Sequence, residues 1–319
     1  MLRVEMKFRN LVYITFISLL LSSCGLPDKA ENQLNANNQY SCVIDPAMVH
    51  SWQVYGELNE PEFPFQQIYQ GCGKTLIYIA ARHGNDPEGE TFKLIEKSFQ
   101  TNAIDFAIVE GFGSDMGVSP KDMIEYADRM KGTPGDAEPY LTIRLAKDAD
   151  AKFQGGEPSD KQIINEVSEE SISPTDLLGY YIVRQIPQLI RREQIHGPSD
   201  PRLNDVIFNM VGSFAEQTGI SIDSLNAIDG ITNFSKWYQA TNGVSFQKGY
   251  REEDSWPSVT DPDFLRTTNQ IANTVGNARD HHIVGIIDDT LRKYDTVLIV
   301  YGGSHHTIQE PALKAAFKD

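Results

Sequence analysis

Cysteine is scarce: the 319 residues contain three, Cys24, Cys42 and Cys72. No C-x-x-C-H occurs, so covalent attachment of haem is excluded. Positive charge is scarce as well. Twenty-eight Lys and Arg stand against 44 Asp and Glu, a formal net charge of −16, with no basic cluster to offset it. Such a chain repels nucleic acid, and nucleic-acid partners are not expected. There is no H-E-x-x-H, no P-loop and no G-x-G-x-x-G. The glycines of GFGSDMG (111–117) have the wrong spacing to cradle phosphate, and GGSHH (302–306) lacks the closing glycine of a nucleophile elbow. Ser304 is therefore a poor candidate nucleophile. No internal repeat is present, and the longest leading apolar run, Leu11 to Leu21, is short for a bilayer span.

What is present begins with that run. Arg3, Lys7 and Arg9 precede it, and Leu21-Ser22-Ser23-Cys24 ends it. Charge, apolar stretch and small residues in this order read as a secretory leader, residues 1–23, whose end resembles a bacterial lipobox. Cleavage before Cys24 and acylation of its thiol and new amine, palmitate among the chains, would make a lipoprotein, since more than one acyl chain anchors stably. Residues 24–40, polar and rich in Asn, read as a flexible tether. The expected place is the cell envelope, on the outer membrane facing the periplasm, because Gly25 rather than an aspartate follows Cys24. Residues 41–319 are enough for a single α/β domain with a substantial core. Export favours a Cys42–Cys72 disulfide over two free thiols.

The pattern within that domain alternates strand and helix. KTLIYIAA (74–81) and DFAIV (105–109) are short apolar, β-leaning runs, and GETFKLIEKSFQT (89–101) between them has helical spacing. Strand, helix, strand predicts a parallel crossover. Ser119-Pro120 with Asp122 predicts a helix start, running to about Met130. A weaker strand covers 150–154, and the last strand covers 295–301. Residues 174–262 read as a helical insert, with Pro187 as a kink, Gly219 as a helix stop and 241–262 as an aromatic, turn-rich loop. A long helix is expected over 262–293, broken at Gly276. The whole predicts a mostly parallel sheet flanked by helices.

Chemistry gathers where the strands end. The first runs into Arg82-His83, the second into Glu110, the weak one into Glu157 and the last into Gly302-Gly303-Ser304-His305-His306. Parallel strands put their carboxyl ends on one edge, where open α/β sheets bind ligands. Two imidazoles and a carboxylate suit a divalent ion such as Zn or Mn. They suit equally the activation of water by a histidine base beside a glutamate. Arg82 or Arg279 would hold a carboxylate or a developing negative charge. Trp237, Tyr238, Tyr250 and Trp256 are candidates for an aromatic pocket wall or for packing.

These motifs resemble the TraB/TIKI superfamily, which includes GumN-like proteins, erythromycin esterases and ChaN-like haem-binding lipoproteins. Gly302-Gly303-Ser304-His305 is similar to the family's second G-x-x-H. Ala80-Ala81-Arg82-His83 falls where the first belongs, with Ala80 in place of the glycine. Arg279 resembles the family's arginine before the last strand. The resemblance covers roughly 74–112 and 276–317, and implies that His83, Glu110, Arg279 and His305 line one catalytic cleft. It implies a hydrolase of peptide or ester bonds, with a divalent metal (Mn, Zn or Co) on His83, Glu110 and His305, or with His83 as base and no metal. Its haem-binding branch implies the alternative of a haem- or iron-binding lipoprotein without turnover, and Ala80 that of a fold that has lost its chemistry.

Overall fold

A computed structural model describes residues 42–113, 119–259 and 261–318. The leader, Cys24 and the tether lie outside them. The described chain is an α/β fold on one five-stranded sheet. The strands are β1 Phe65–Gly71, β2 Lys74–Ala81, β3 Phe106–Gly113, β4 Lys152–Glu157 and β5 Thr296–Gly302. Their order is β1-β2-β5-β3-β4, and only the β1–β2 pair is antiparallel. The helices are α1 Glu90–Thr101, α2 Pro120–Met130, α3 Glu138–Asp148, α4 Asp160–Glu169, α5 Pro174–Arg191, α6 Leu203–Thr218, α7 Gly230–Asn242, α8 Phe246–Gly249, α9 Thr267–Leu291 and α10 Gly303–Ala316.

The three apolar runs are the central strands because both of their faces are covered. Ile77, Ile79, Ala107, Leu298 and Val300 pack with Ile95 of α1 and Ala146 of α3. The alternate residues Leu76, Tyr78, Ile108, Val297 and Ile299 pack with Ile283 and Ile287 of α9 and Leu313 of α10. The strand–helix–strand unit is present, but β5 lies between its two strands. Ala81 therefore registers with Gly302, and Val109 with Val300. The ends of β2, β3 and β5 become neighbours, and this is what assembles the site.

Two elements differ from the sequence expectation. FQQIYQG carries no apolar alternation, yet it forms β1, an edge strand with only Tyr69 fully buried. Cys72 and Gly73 close its hairpin with φ of 53° and 72°, the pair of positive values a two-residue type I′ turn needs. The long helix α9 is not broken at Gly276. A Cβ there would lie 2.6 Å from Cδ1 of Trp52, so the glycine makes room for an indole rather than for a bend. The first half of α9, with Ile271, Ala272, Val275 and Ala278, packs into an all-helical cluster with α4 to α7; its second half packs on the sheet. Gly219 does end α6 in the left-handed conformation, and Ser119 and Asp122 form a capping box on α2.

The segment before β1 crosses the molecule as a strap. Cys42 is bonded to Cys72, with Cα atoms 5.9 Å apart. Ile44 N–H then donates to Asp288, His50 N–H to the Ile308 carbonyl and Trp52 N–H to Asn277. The bond closes a loop with a sequence separation of 30, which corresponds to a loss of about 3.6 kcal/mol on opening in the chain-entropy account. Cys42→Ser is expected to lower the free energy of unfolding in urea by about that amount; a midpoint unchanged from the parent protein would show that the strap does not depend on the bond.

Candidate functional site

Four strand ends deliver the side chains named from the sequence to one edge. Glu110 lies in β3 where its pairing with β4 shifts register, between Val109 and Gly113. Such a bulge re-aims a side chain beside a site. Its Oε2 accepts the Gly302 N–H at 2.7 Å, which ties the end of β3 to the end of β5. His83 follows β2 and sets Nε2 3.4 Å from the same Oε2. Gly302 keeps this junction open: a Cβ there would lie 2.9 Å from His83 Nε2, 3.4 Å from Glu110 Oε2 and 3.6 Å from His305 Cδ2. The two imidazoles and the acid thus surround one point, although 222 positions of sequence separate the histidines.

Each ring has a second partner that the sequence did not single out. Behind His83, Glu138 at the start of α3 holds Oε1 3.8 Å from Nδ1 and accepts the Gly84 N–H at 2.7 Å. Burial pushes the Glu138 carboxyl above its ordinary value, tempered by backbone donors and by His83. Behind His305, Asp280 of α9 places Oδ1 2.9 Å from Nδ1. Neither acid lies at a strand end, and a polar residue on a helix reads as solvent-facing when only spacing is known. Trp52, whose ring meets His305 edge-on at 5.2 Å, was equally invisible, since it comes from the strap.

Arg279 is close to the cluster but is bolted to Glu157. Its Nε and Nη2 donate to the two Glu157 oxygens at 2.9 and 2.6 Å, and Nη2 stands 3.7 Å from Glu110 Oε1. Tyr301 adds a hydrogen bond to Glu157 at 2.6 Å. Burial by itself would raise the Glu157 carboxyl. The charge and hydrogen bonds of Arg279, with the hydrogen bond of Tyr301 and the field of His305, outweigh it and hold the group at about 2. Glu157 in turn raises Arg279 against the opposing effect of burial.

His306, adjacent in sequence, belongs to a different environment. Its ring lies edge-on between Phe65 and Tyr78, with Nε2 2.9 Å from the Tyr69 hydroxyl. Burial lowers it to about 4, so it packs as a neutral ring. Trp237 and Tyr238 are also packing residues, buried in the helical cluster with Phe234 and Phe246.

The cleft over the strand ends has a volume of about 250 Å³. Trp52, Tyr180, Val275, Ser304 and Arg184 line it along with His83, Glu110, Arg279 and His305. A larger groove of about 420 Å³ lies on the helical side, lined by Glu170, Asp176, Gln270 and neighbouring residues. It contains no imidazole and no cation, so chemistry rather than size selects the smaller cleft. Among the described residues, no three His, Cys, Asp or Glu side chains are grouped to hold a metal ion. In the expected set of His83, Glu110 and His305, Glu110 has one oxygen on the Gly302 N–H and the other facing Arg279, and His305 has Nδ1 on Asp280. The Asp280 contact orients His305 and leaves its Nε2 free, as a carboxylate does behind a metal-bound imidazole. Comparison with protein-family models, curated proteins and solved structures returned no match.

Proposed function

We propose that this chain is a hydrolase of carbonyl esters or amides in the cell envelope, held at the membrane by lipid on Cys24. The observation that carries the reading is the meeting of His83, Glu110 and His305 around Gly302. His83 is the general base. Its ring is the most exposed of the cluster, 59% accessible at the side chain, so water and substrate reach it. Glu138 steadies the Nδ1 side, and Glu110 lies where it can share a proton of the attacking water. Arg279, fixed by Glu157, offers its charge to the oxygen that becomes negative as water adds. The resemblance to the TraB/TIKI superfamily in the Arg82-His83 and Gly302-to-His305 segments supports the same reaction class.

The cleft favours a small acyl group over haem. Pockets that enclose drug-sized ligands run to roughly 300–1,000 Å³, and about 250 Å³ lies below them. The test is purified protein assayed against a panel of short-chain esters and amides, with and without a chelator, alongside elemental analysis. Hydrolysis that survives chelation, with no stoichiometric metal, is the expected result. Chelation that abolishes turnover, restored by Mn, Zn or Co, would move water activation to an ion; no turnover of any substrate would sink the reading.

A further inference from the structure

Asp280 is a carboxylate with 0% exposure, set in the middle of α9. Its oxygens accept from Trp52 Nε1 at 2.6 Å, from Gln309 Nε2 at 2.5 Å and from His305 Nδ1 at 2.9 Å. Trp and Gln are neutral. Among the described residues no Lys or Arg pairs with Asp280, and its single ion-pair partner is His305. A buried carboxylate without a countercharge is costly. His305 is its one ionisable hydrogen-bond partner among the described residues, and Asp280 fixes that ring through Nδ1. With Nδ1 committed to Asp280, Nε2 is the nitrogen left to pass a proton to a substrate. His305 lines the cleft, with its Cδ2 edge turned towards His83 and Glu110. The other charged groups around the ring are Glu157, which shares a field with it, and Arg279, whose charge Glu157 already takes up.

We infer that His305, positioned by Asp280, is the general acid that protonates the departing group, and that the substrates are therefore esters or amides of unactivated alcohols or amines. The inference rests on the hydrolase reading given above. His83 takes a proton from water while the water oxygen bonds to the carbonyl carbon. The bond from that carbon to the leaving oxygen or nitrogen then breaks as the carbonyl re-forms, and the Nε2 proton of His305 passes to the leaving atom. The products are an acid and an alcohol or amine. His83 is left with one proton too many and His305 with one too few, and exchange with solvent restores both. A leaving group that is stable as an anion does not need the second proton, whereas an alkoxide or amine does.

Leaving-group dependence tests this. The purified protein and its His305→Gln and Asp280→Asn variants, checked for fold by circular dichroism, are assayed on the ethyl and p-nitrophenyl esters of one short acid. The expected loss in kcat/KM is at least tenfold greater on the ethyl ester than on the p-nitrophenyl ester, for both variants. Equal losses on the two esters overturn the acid role and leave the hydrolase reading standing; an unsubstituted protein inactive on both esters and on the wider panel sinks that reading first. Should Asp280→Asn not fold, His305→Gln and His305→Asn decide on the same pair of esters.

Discussion

Replacing His83 with glutamine lowers kcat/KM for ester hydrolysis by about 10²- to 10⁴-fold, the range over which a positioned base acts, and leaves the thermal melt in place. Both halves of that expectation come from the same geometry. The ring is 59% exposed and packs in none of the buried clusters, so the fold does not depend on it. Exposed positions of this kind change stability within about 0.5 kcal/mol. What the ring contributes is a nitrogen at the mouth of a cleft, between two carboxylates on different elements: Glu110 from β3 and Glu138 from α3. Glu138→Gln keeps the acceptor for the Gly84 N–H and removes the charge behind Nδ1, so its effect on rate falls short of that of His83→Gln. Turnover within threefold of the parent in His83→Gln would place the base elsewhere.

The sequence made the strand ends legible and little of what surrounds them. KTLIYIAA, DFAIV and the run at 295–301 announce themselves because central parallel strands are apolar on both faces. The turns after them stand out because His83, Glu110 and His305 interrupt that apolarity. FQQIYQG is silent because an edge strand buries little: Tyr69 is its one buried side chain, and Ile68 stays 44% exposed. Asp280 sits between Arg279 and His281 in a polar patch of a helix whose stripe changes partners there, from the helical cluster to the sheet. No single periodicity marks its face as buried. Gly276 read as a break because the partner that explains it, Trp52, lies in a strap more than 200 positions earlier. Arg279 and Glu157 were each visible as candidates, but a pair separated by 122 positions exists only once β4 and α9 are packed.

That pair sets the second large effect. Glu157→Ala is expected to cost about 3–5 kcal/mol of stability, the range for stripping one partner from a buried ion pair. Arg279 would retain only Glu110, at 3.7 Å and already engaged with the Gly302 N–H. The sign of the pH dependence follows from the direction of the shift. The Glu157 carboxyl titrates at about 2 in the folded protein, below the roughly 4.3 of an unfolded glutamate. Its contribution is therefore fully present above the unfolded value and disappears as pH falls through about 2. Urea midpoints of the parent protein should decline steeply across that interval, and those of Glu157→Gln should decline less. The double variant Glu157→Leu with Arg279→Met separates the pair's two duties. Removing both charges leaves no buried half of the pair behind, although the Tyr301 hydroxyl loses its acceptor, so stability returns part of the way towards that of the parent, whereas hydrolysis stays depressed because the cation opposite the nascent oxyanion is gone. A folded double variant with full activity would show that Arg279 only holds the cleft together; a Glu157→Ala protein destabilised by less than about 1 kcal/mol would show that water already compensates the guanidinium.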